Sequence, residues 1–160
     1  EGIHYSIMFY GGRLLNQLTA DDDDVTDFIK LRRLNRNAAI LIDSDKNTPF
    51  THINPTKRRV RDEFEPDGVA WITKGTTIEN YVPVETLHAA ICEVHRSASV
   101  TTYGQYDNPL MAPFVQGIKK VDKIGVARRV VSNTPELPTS QFDLRQMVTK
   151  VVQFVRLANA

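Results

Sequence analysis

A single cysteine, Cys92, in 160 residues excludes an internal disulfide and points to a reducing, intracellular compartment, here the cytoplasm. No apolar run approaches the length of a membrane span, and no signal peptide is visible, so no membrane role is expected. There is little net charge: 20 Lys and Arg against 19 Asp and Glu leave +1, which argues against a histone-like polybasic binder. That near-neutrality does not exclude a locally basic rim. The histidines His4, His52, His88 and His95 show no zinc-like spacing with one another or with Cys92. There is no Gly-x4-Gly-Lys-Ser/Thr loop for phosphates, no internal repeat, and no low-complexity segment beyond Asp21 to Asp24. What remains has the composition of an ordinary globular protein, 41% hydrophobic and 24% charged, long enough to bury a core.

Strand and helix signals alternate along the chain. Tyr5 to Tyr10 reads as a strand closed by Gly11-Gly12, followed by a short helix from Arg13 to Leu18. Val25 to Leu34 is a helix with Val25, Phe28 and Ile29 on its buried side, and the four aspartates can cap it. Ala38 to Ile42 is wholly apolar and short, as a strand covered on both faces would be. A polar, proline-interrupted stretch leads to a basic helix from Lys57 to Phe64, with Thr56 as its cap and Pro66-Asp67-Gly68 as its stop. Val69 to Thr73 is a third strand, with Trp71 in the core. Pro83 opens a helix carrying Leu87, Ala90, Ile91 and Val94 on one side, with Cys92 as a buried, inert thiol. Ser97 to Gly117 lacks periodicity and reads as a long loop, and Val121 to Val131 and Asp143 to Leu157 are two further amphipathic helices. Such alternation implies an α/β fold with a mostly parallel sheet.

Chemistry concentrates where these strands end. Asp43-Ser44-Asp45 follows a buried strand directly, and ligands of open α/β sheets collect at the carboxyl ends of strands. Two carboxylates one residue apart can converge on a hard cation and its water; the same tripeptide elsewhere is a turn or a helix cap. Glu79 lies just beyond the next strand, and adjacent parallel strands would bring all three carboxylates to one sheet edge. Such a set suits Mg²⁺ or Mn²⁺; the plainer reading makes Asp45 a turn residue and Glu79 a cap. Lys57 to Arg61 could meet phosphates or form a solvated face. Lys119, Lys120 and Lys123 are alternative cations for a phosphoryl group, with Arg128 and Arg129 continuing the positive side of their helix.

Taken in order, these motifs resemble a known family. Phe9-Tyr10-Gly11-Gly12-Arg13-Leu14-Leu15, Leu34-Asn35-Arg36-Asn37 leading into Ile42-Asp43-Ser44-Asp45, Asn54-Pro55-Thr56-Lys57-Arg58, and Trp71 through Tyr81 are similar to the Toprim part of the overcoming-lysogenization-defect (OLD) family of ATP-dependent endonucleases. The resemblance covers roughly residues 3 to 131. It implies a three-layer Toprim domain over residues 1–135 with a C-terminal helical extension over 136–160. It further implies a divalent-metal site that cuts DNA, and an ATPase domain in the same, longer polypeptide. It is compatible with a homo-oligomer. By resemblance, Asp43 and Asp45 are the Toprim aspartates, Glu79 the later acidic residue, and Lys123 the late lysine near the scissile phosphate, with Lys119 and Lys120 as close competitors.

One departure stands out. Toprim domains open with a glutamate, usually Glu-Gly, at the end of a first strand, and a helix separates it from the second strand. Glu1-Gly2 has the letters, but Ile3 and His4 leave no room for that helix. The genuine glutamate is therefore expected upstream of Glu1, consistent with a chain that opens without methionine, and the isolated chain is expected to be a poor nuclease. Two other functions fit parts of the sequence. A haloacid-dehalogenase-like phosphatase would use Asp43 as nucleophile and Asp45 as acid-base, although no later paired-aspartate motif follows. A non-catalytic, Toprim-shaped interaction domain would need neither.

Overall fold

The computed structural model of the chain describes residues 4–7, 37–65, 67–136 and 140–160. Within them lie a small parallel sheet, a short antiparallel pair and four α-helices. The expected helices at 13–18 and 25–34, and the motifs at 9–15 and 34–36, fall outside the described residues. Of the strand expected at 5–10, residues 5–7 form no strand and the rest also falls outside. The chain divides into two compact units that interleave in sequence.

The first unit comprises Glu1–Ile42, His52–Ile72 and Gln146–Ala160. Its sheet pairs β1 (Ala39–Ile42) with β2 (Val69–Ile72) in parallel, Ala39 opposite Val69 and Ile42 opposite Ile72. Helix α1 (Pro55–Phe64) lies between them in the chain. Val60 and Phe64 of α1 pack with Ile42 and Ala70, and Ala38, Ile40 and Ile72 join them on the same face. On the opposite face Val69 and Trp71 are buried, while Leu41 is 46% exposed. So β2 is covered on both sides as expected, and β1 is covered on one only. The all-apolar letters of β1 could not distinguish these cases. Gly68 precedes β2 because the Ala38 carbonyl lies where any β-carbon would stand.

Helix α1 starts earlier than its basic residues suggest. Its cap is Asn54, whose side-chain oxygen accepts from the Thr56 N–H at 2.7 Å, and Pro55 occupies the first turn, where a missing N–H costs nothing. Thr56, expected as the cap, is buried inside the first turn, and Lys57 beside it is also buried. Lys57 therefore belongs to neither a solvated face nor a phosphate-reading rim.

The second unit comprises Asp43–Thr51 and Thr73–Arg145. A 3-10 helix (Ile78–Tyr81) precedes α2 (Val84–Val94), and α3 (Lys123–Asn133) packs on α2. Leu87, Ala90 and Ile91 of α2 bury against Val126 of α3, with Leu110, Val115 and Val121 completing the core. Cys92 is exposed, contrary to expectation, because it sits one residue past Ile91, a rotation of about 100° away from the buried stripe. The segment expected as a long loop contains an antiparallel pair, β3 (Ser99–Val100) with β4 (Val115–Gln116). Strands of two residues are too short to show alternation. The last helix, α4 (Leu144–Ala158), runs from the second unit into the first. No helix among the described residues is long and apolar enough to cross a membrane.

Candidate functional site

The three candidate carboxylates and the three candidate lysines all fall in the second unit. Asp43-Ser44-Asp45 leaves β1 and is laced to the segment that leaves β2. Ser44 is buried; its N–H donates to Thr73 Oγ1 at 2.9 Å and its hydroxyl donates to the Gly75 carbonyl at 2.7 Å. The Asp45 N–H donates to the Thr76 carbonyl at 2.9 Å, and the Thr76 hydroxyl donates to the Lys46 carbonyl at 2.5 Å. The polar middle residue of the tripeptide thus faces inward and fastens the loop, leaving the two aspartates to flank it. Asp45 is exposed, with φ of 52°, a left-handed conformation that aspartate tolerates better than most side chains.

Asp43 is half-buried and accepts, at Oδ1, the N–H of Ile78 at 2.8 Å. Ile78 opens the 3-10 helix, so this bond sets Glu79 in place one residue later. The Glu79 side chain is 19% exposed and pairs with Lys123 Nζ at 3.6 Å. Lys123 opens α3, which Asp122 caps by accepting the Gly125 N–H at 3.0 Å. Asp43, Glu79 and Lys123 are therefore linked through one hydrogen bond, one residue step and one ion pair. Lys119 and Lys120 are exposed and form no ion pair among the described residues.

Asn80, which the sequence did not single out, organises this region. Its side-chain oxygen accepts the Thr77 N–H at 2.8 Å, and its amide donates to the carbonyls of Gly104 at 3.2 Å and Asp107 at 3.0 Å. The Thr76 N–H donates to the Gln105 carbonyl at 3.0 Å, and Gln105 Nε2 donates to the Lys74 carbonyl at 2.8 Å. Gly75 is required here: a β-carbon on it would lie 2.5 Å from that of Asn80. Tyr81 adds a further tie, its hydroxyl accepting the Lys74 N–H at 2.9 Å and donating to Asp143 Oδ1 at 2.6 Å.

Tyr103 is a second residue without a signal in the sequence. Its hydroxyl is buried and has no hydrogen-bond partner. Burial, and then the negative charges of Glu85 and Glu79, push its pKa from 10.0 up to about 12. A lone tyrosine in a non-periodic segment carries no pattern that would reveal this.

The donor chemistry suits a hard cation, but the carboxylates do not form a closed cage. Among the described residues no three His, Cys, Asp or Glu side chains stand together as a ready metal site. Mg²⁺ and Mn²⁺ are commonly held by one or two carboxylates with water and substrate oxygens in the remaining positions, an arrangement that does not need three side chains together. Two of the histidines serve other ends: His95 Nε2 accepts the Asp122 N–H at 2.9 Å, and His88 Nε2 lies 3.2 Å from the Thr101 carbonyl. The exposed part of the basic run is matched by acids, since Arg58 and Arg59 line a depression together with Asp62 and Glu63, and Arg61 pairs with Asp62 at 2.7 Å.

No family model, no curated protein and no solved structure matches the chain. The functional reading therefore rests on the motifs and this geometry.

Proposed function

We propose that this chain carries a divalent-metal-dependent DNA endonuclease site of Toprim type, with a three-layer Toprim fold, as its resemblance to the OLD family implies. The observation that carries the reading is the Asp43 to Ile78 hydrogen bond at 2.8 Å, which ties the Asp-Ser-Asp loop to the segment bearing Glu79. Asp43, Asp45 and Glu79 are the residues that would hold Mg²⁺ or Mn²⁺. When bound, the cation would neutralise charge on a phosphodiester and lower the pKa of an attacking water.

The chain's own residues do the remaining work. Ser44 ties the Asp-Ser-Asp loop to the Gly75 segment, and Asn80 ties that segment in turn to Gly104, which restricts how far the carboxylates can move. Lys123, 63% exposed and loosely held at 3.6 Å, can turn from Glu79 toward a phosphate and stabilise the charge that develops on it. The partners in this reading are DNA and an ATPase domain in the same polypeptide, acting in the cytoplasm.

Cleavage of supercoiled DNA by the intact protein tests the reading. It should require Mg²⁺ or Mn²⁺ and should disappear in Asp43→Ala and Asp45→Ala while the fold is kept. Trapping of an aspartyl-phosphate on Asp43 would instead identify a phosphatase. A folded protein with neither activity would be an interaction domain.

A further inference from the structure

Helix α3 begins on a cap that its own sequence leaves half made. Asp122 accepts the Gly125 N–H at 3.0 Å, which is one half of a capping box. The other half would come from a glutamate or glutamine at the position of Gly125, reaching back to the Asp122 N–H. Glycine has no side chain to do so. A β-carbon there would lie 2.6 Å from Asp122 Oδ2 and 3.3 Å from Val94 Cγ1, so a side chain would displace the cap itself. The missing partner comes instead from the end of α2. His95 Nε2 accepts the Asp122 N–H at 2.9 Å, across 27 residues of sequence.

The histidine is itself held in place. Its backbone N–H donates to the Ile91 carbonyl at 2.8 Å, and its carbonyl accepts the Ala98 N–H at 2.9 Å. Accepting a hydrogen bond at Nε2 requires a neutral ring with its proton on Nδ1. One residue beyond Asp122, Lys123 takes the first position of α3, where the helix dipole disfavours a cation. The dipole therefore does not hold the ammonium, which meets Glu79 at 3.6 Å from a side chain 63% exposed. Where Lys123 can reach is set by where the first turn of α3 stands.

We propose that His95 is a positioning residue for Lys123, completing from α2 the cap that fixes the first turn of α3. Its purpose rests on the reading above, in which Lys123 serves a phosphate. The capping, and its effect on the Glu79–Lys123 pair, need neither metal nor DNA.

Nuclear magnetic resonance of this chain tests the capping directly. At mildly alkaline pH, long-range ¹H–¹⁵N correlations should show the His95 ring protonated on Nδ1 and bare at Nε2. In His95→Ala, amide exchange at Asp122 should speed up roughly three- to tenfold, the worth of one neutral hydrogen bond. The Lys123 ¹⁵Nζ resonance, which Glu79→Gln should move in the wild type, should no longer respond to it. His95→Gln, whose side-chain oxygen can accept the same N–H, should restore both behaviours. In the intact protein, single-turnover DNA cleavage should slow by a similar factor in His95→Ala and recover in His95→Gln, with DNA affinity unchanged. No further slowing should follow when His95→Ala is added to Lys123→Ala. A ring protonated on Nε2, an Asp122 amide indifferent to His95→Ala, or a folded His95→Gln that restores nothing would overturn the proposal. So would a slowing by His95→Ala that is the same with and without Lys123. Absence of cleavage by the intact wild type would strike at the nuclease reading instead, because the resonance measurements are made without DNA or metal.

Discussion

Asp43 accepts the backbone N–H of Ile78 at 2.8 Å, across 35 residues of sequence, and so makes the loop after β1 and the helix bearing Glu79 one piece. The same carboxylate is then both a structural acceptor and a candidate metal ligand. These roles separate on substitution. Asp43→Ala removes the acceptor and should cost roughly 1–2 kcal/mol of stability, whereas Asp43→Asn keeps an acceptor oxygen and should cost less. Both should lose the metal. Urea unfolding beside Mn²⁺ calorimetry checks the pair of outcomes.

Gly75 is the tightest point of the loop lacing. Gly75→Ala would drive a β-carbon to within 2.5 Å of that of Asn80, whose amide holds Thr77, Gly104 and Asp107. A loss of about 2–3 kcal/mol is expected, since a buried polar network must open to relieve the clash. Thermal unfolding should show it, with residues 104–107 gaining the most amide exchange.

Alkaline behaviour follows from Tyr103. Its pKa is raised from 10.0 to about 12, so the folded state favours the protonated phenol. This contribution to stability is complete below the unfolded value and is lost as pH climbs from 10 toward 12. The wild type should therefore unfold more readily across that window, and Tyr103→Phe should show a smaller alkaline loss. Phenolate absorbance recorded alongside Tm against pH separates Tyr103 from ordinary lysine titration.

The late lysine is testable by kinetics. On the proposed function, Lys123→Ala in the intact protein should slow the chemical step by roughly 10²-fold or more while weakening DNA binding little, because the lysine would act on developing charge. Lys119→Ala and Lys120→Ala should have smaller effects. Single-turnover cleavage measures this, and a wild-type rate in Lys123→Ala with a loss in either neighbour would reassign the lysine.

Legibility in the sequence followed the strength of local pattern. The strands beginning at Ala39 and Val69, and their parallel pairing, were legible because short apolar runs ended on polar turn residues. Helix α2 was legible through Leu87, Ala90 and Ile91 at helical spacing. The Asn54 cap of α1 had a readable signal in Asn54-Pro55, but Thr56 before the basic run drew attention away. The 3-10 helix at Ile78–Tyr81 and the β3–β4 pair were illegible, because elements of two to four residues carry no period. Charge pattern could not reveal that Lys57 is buried or that Lys123 meets Glu79; both depend on contacts distant in sequence. The candidate carboxylates were nameable from strand ends alone. The residues that organise their surroundings, Ser44 and Asn80, were not, since each acts through backbone groups that no motif records.

The central claim is that Asp43, Asp45 and Glu79 hold one divalent cation. Paramagnetic line broadening by substoichiometric Mn²⁺, read across the backbone amides of the ¹⁵N-labelled protein, locates the ion directly. The account predicts that amides of residues 43–45 and 78–79 broaden first, weakly in affinity, and that Asp43→Ala abolishes the effect there. Broadening centred elsewhere, or an unchanged pattern in Asp43→Ala, would contradict it.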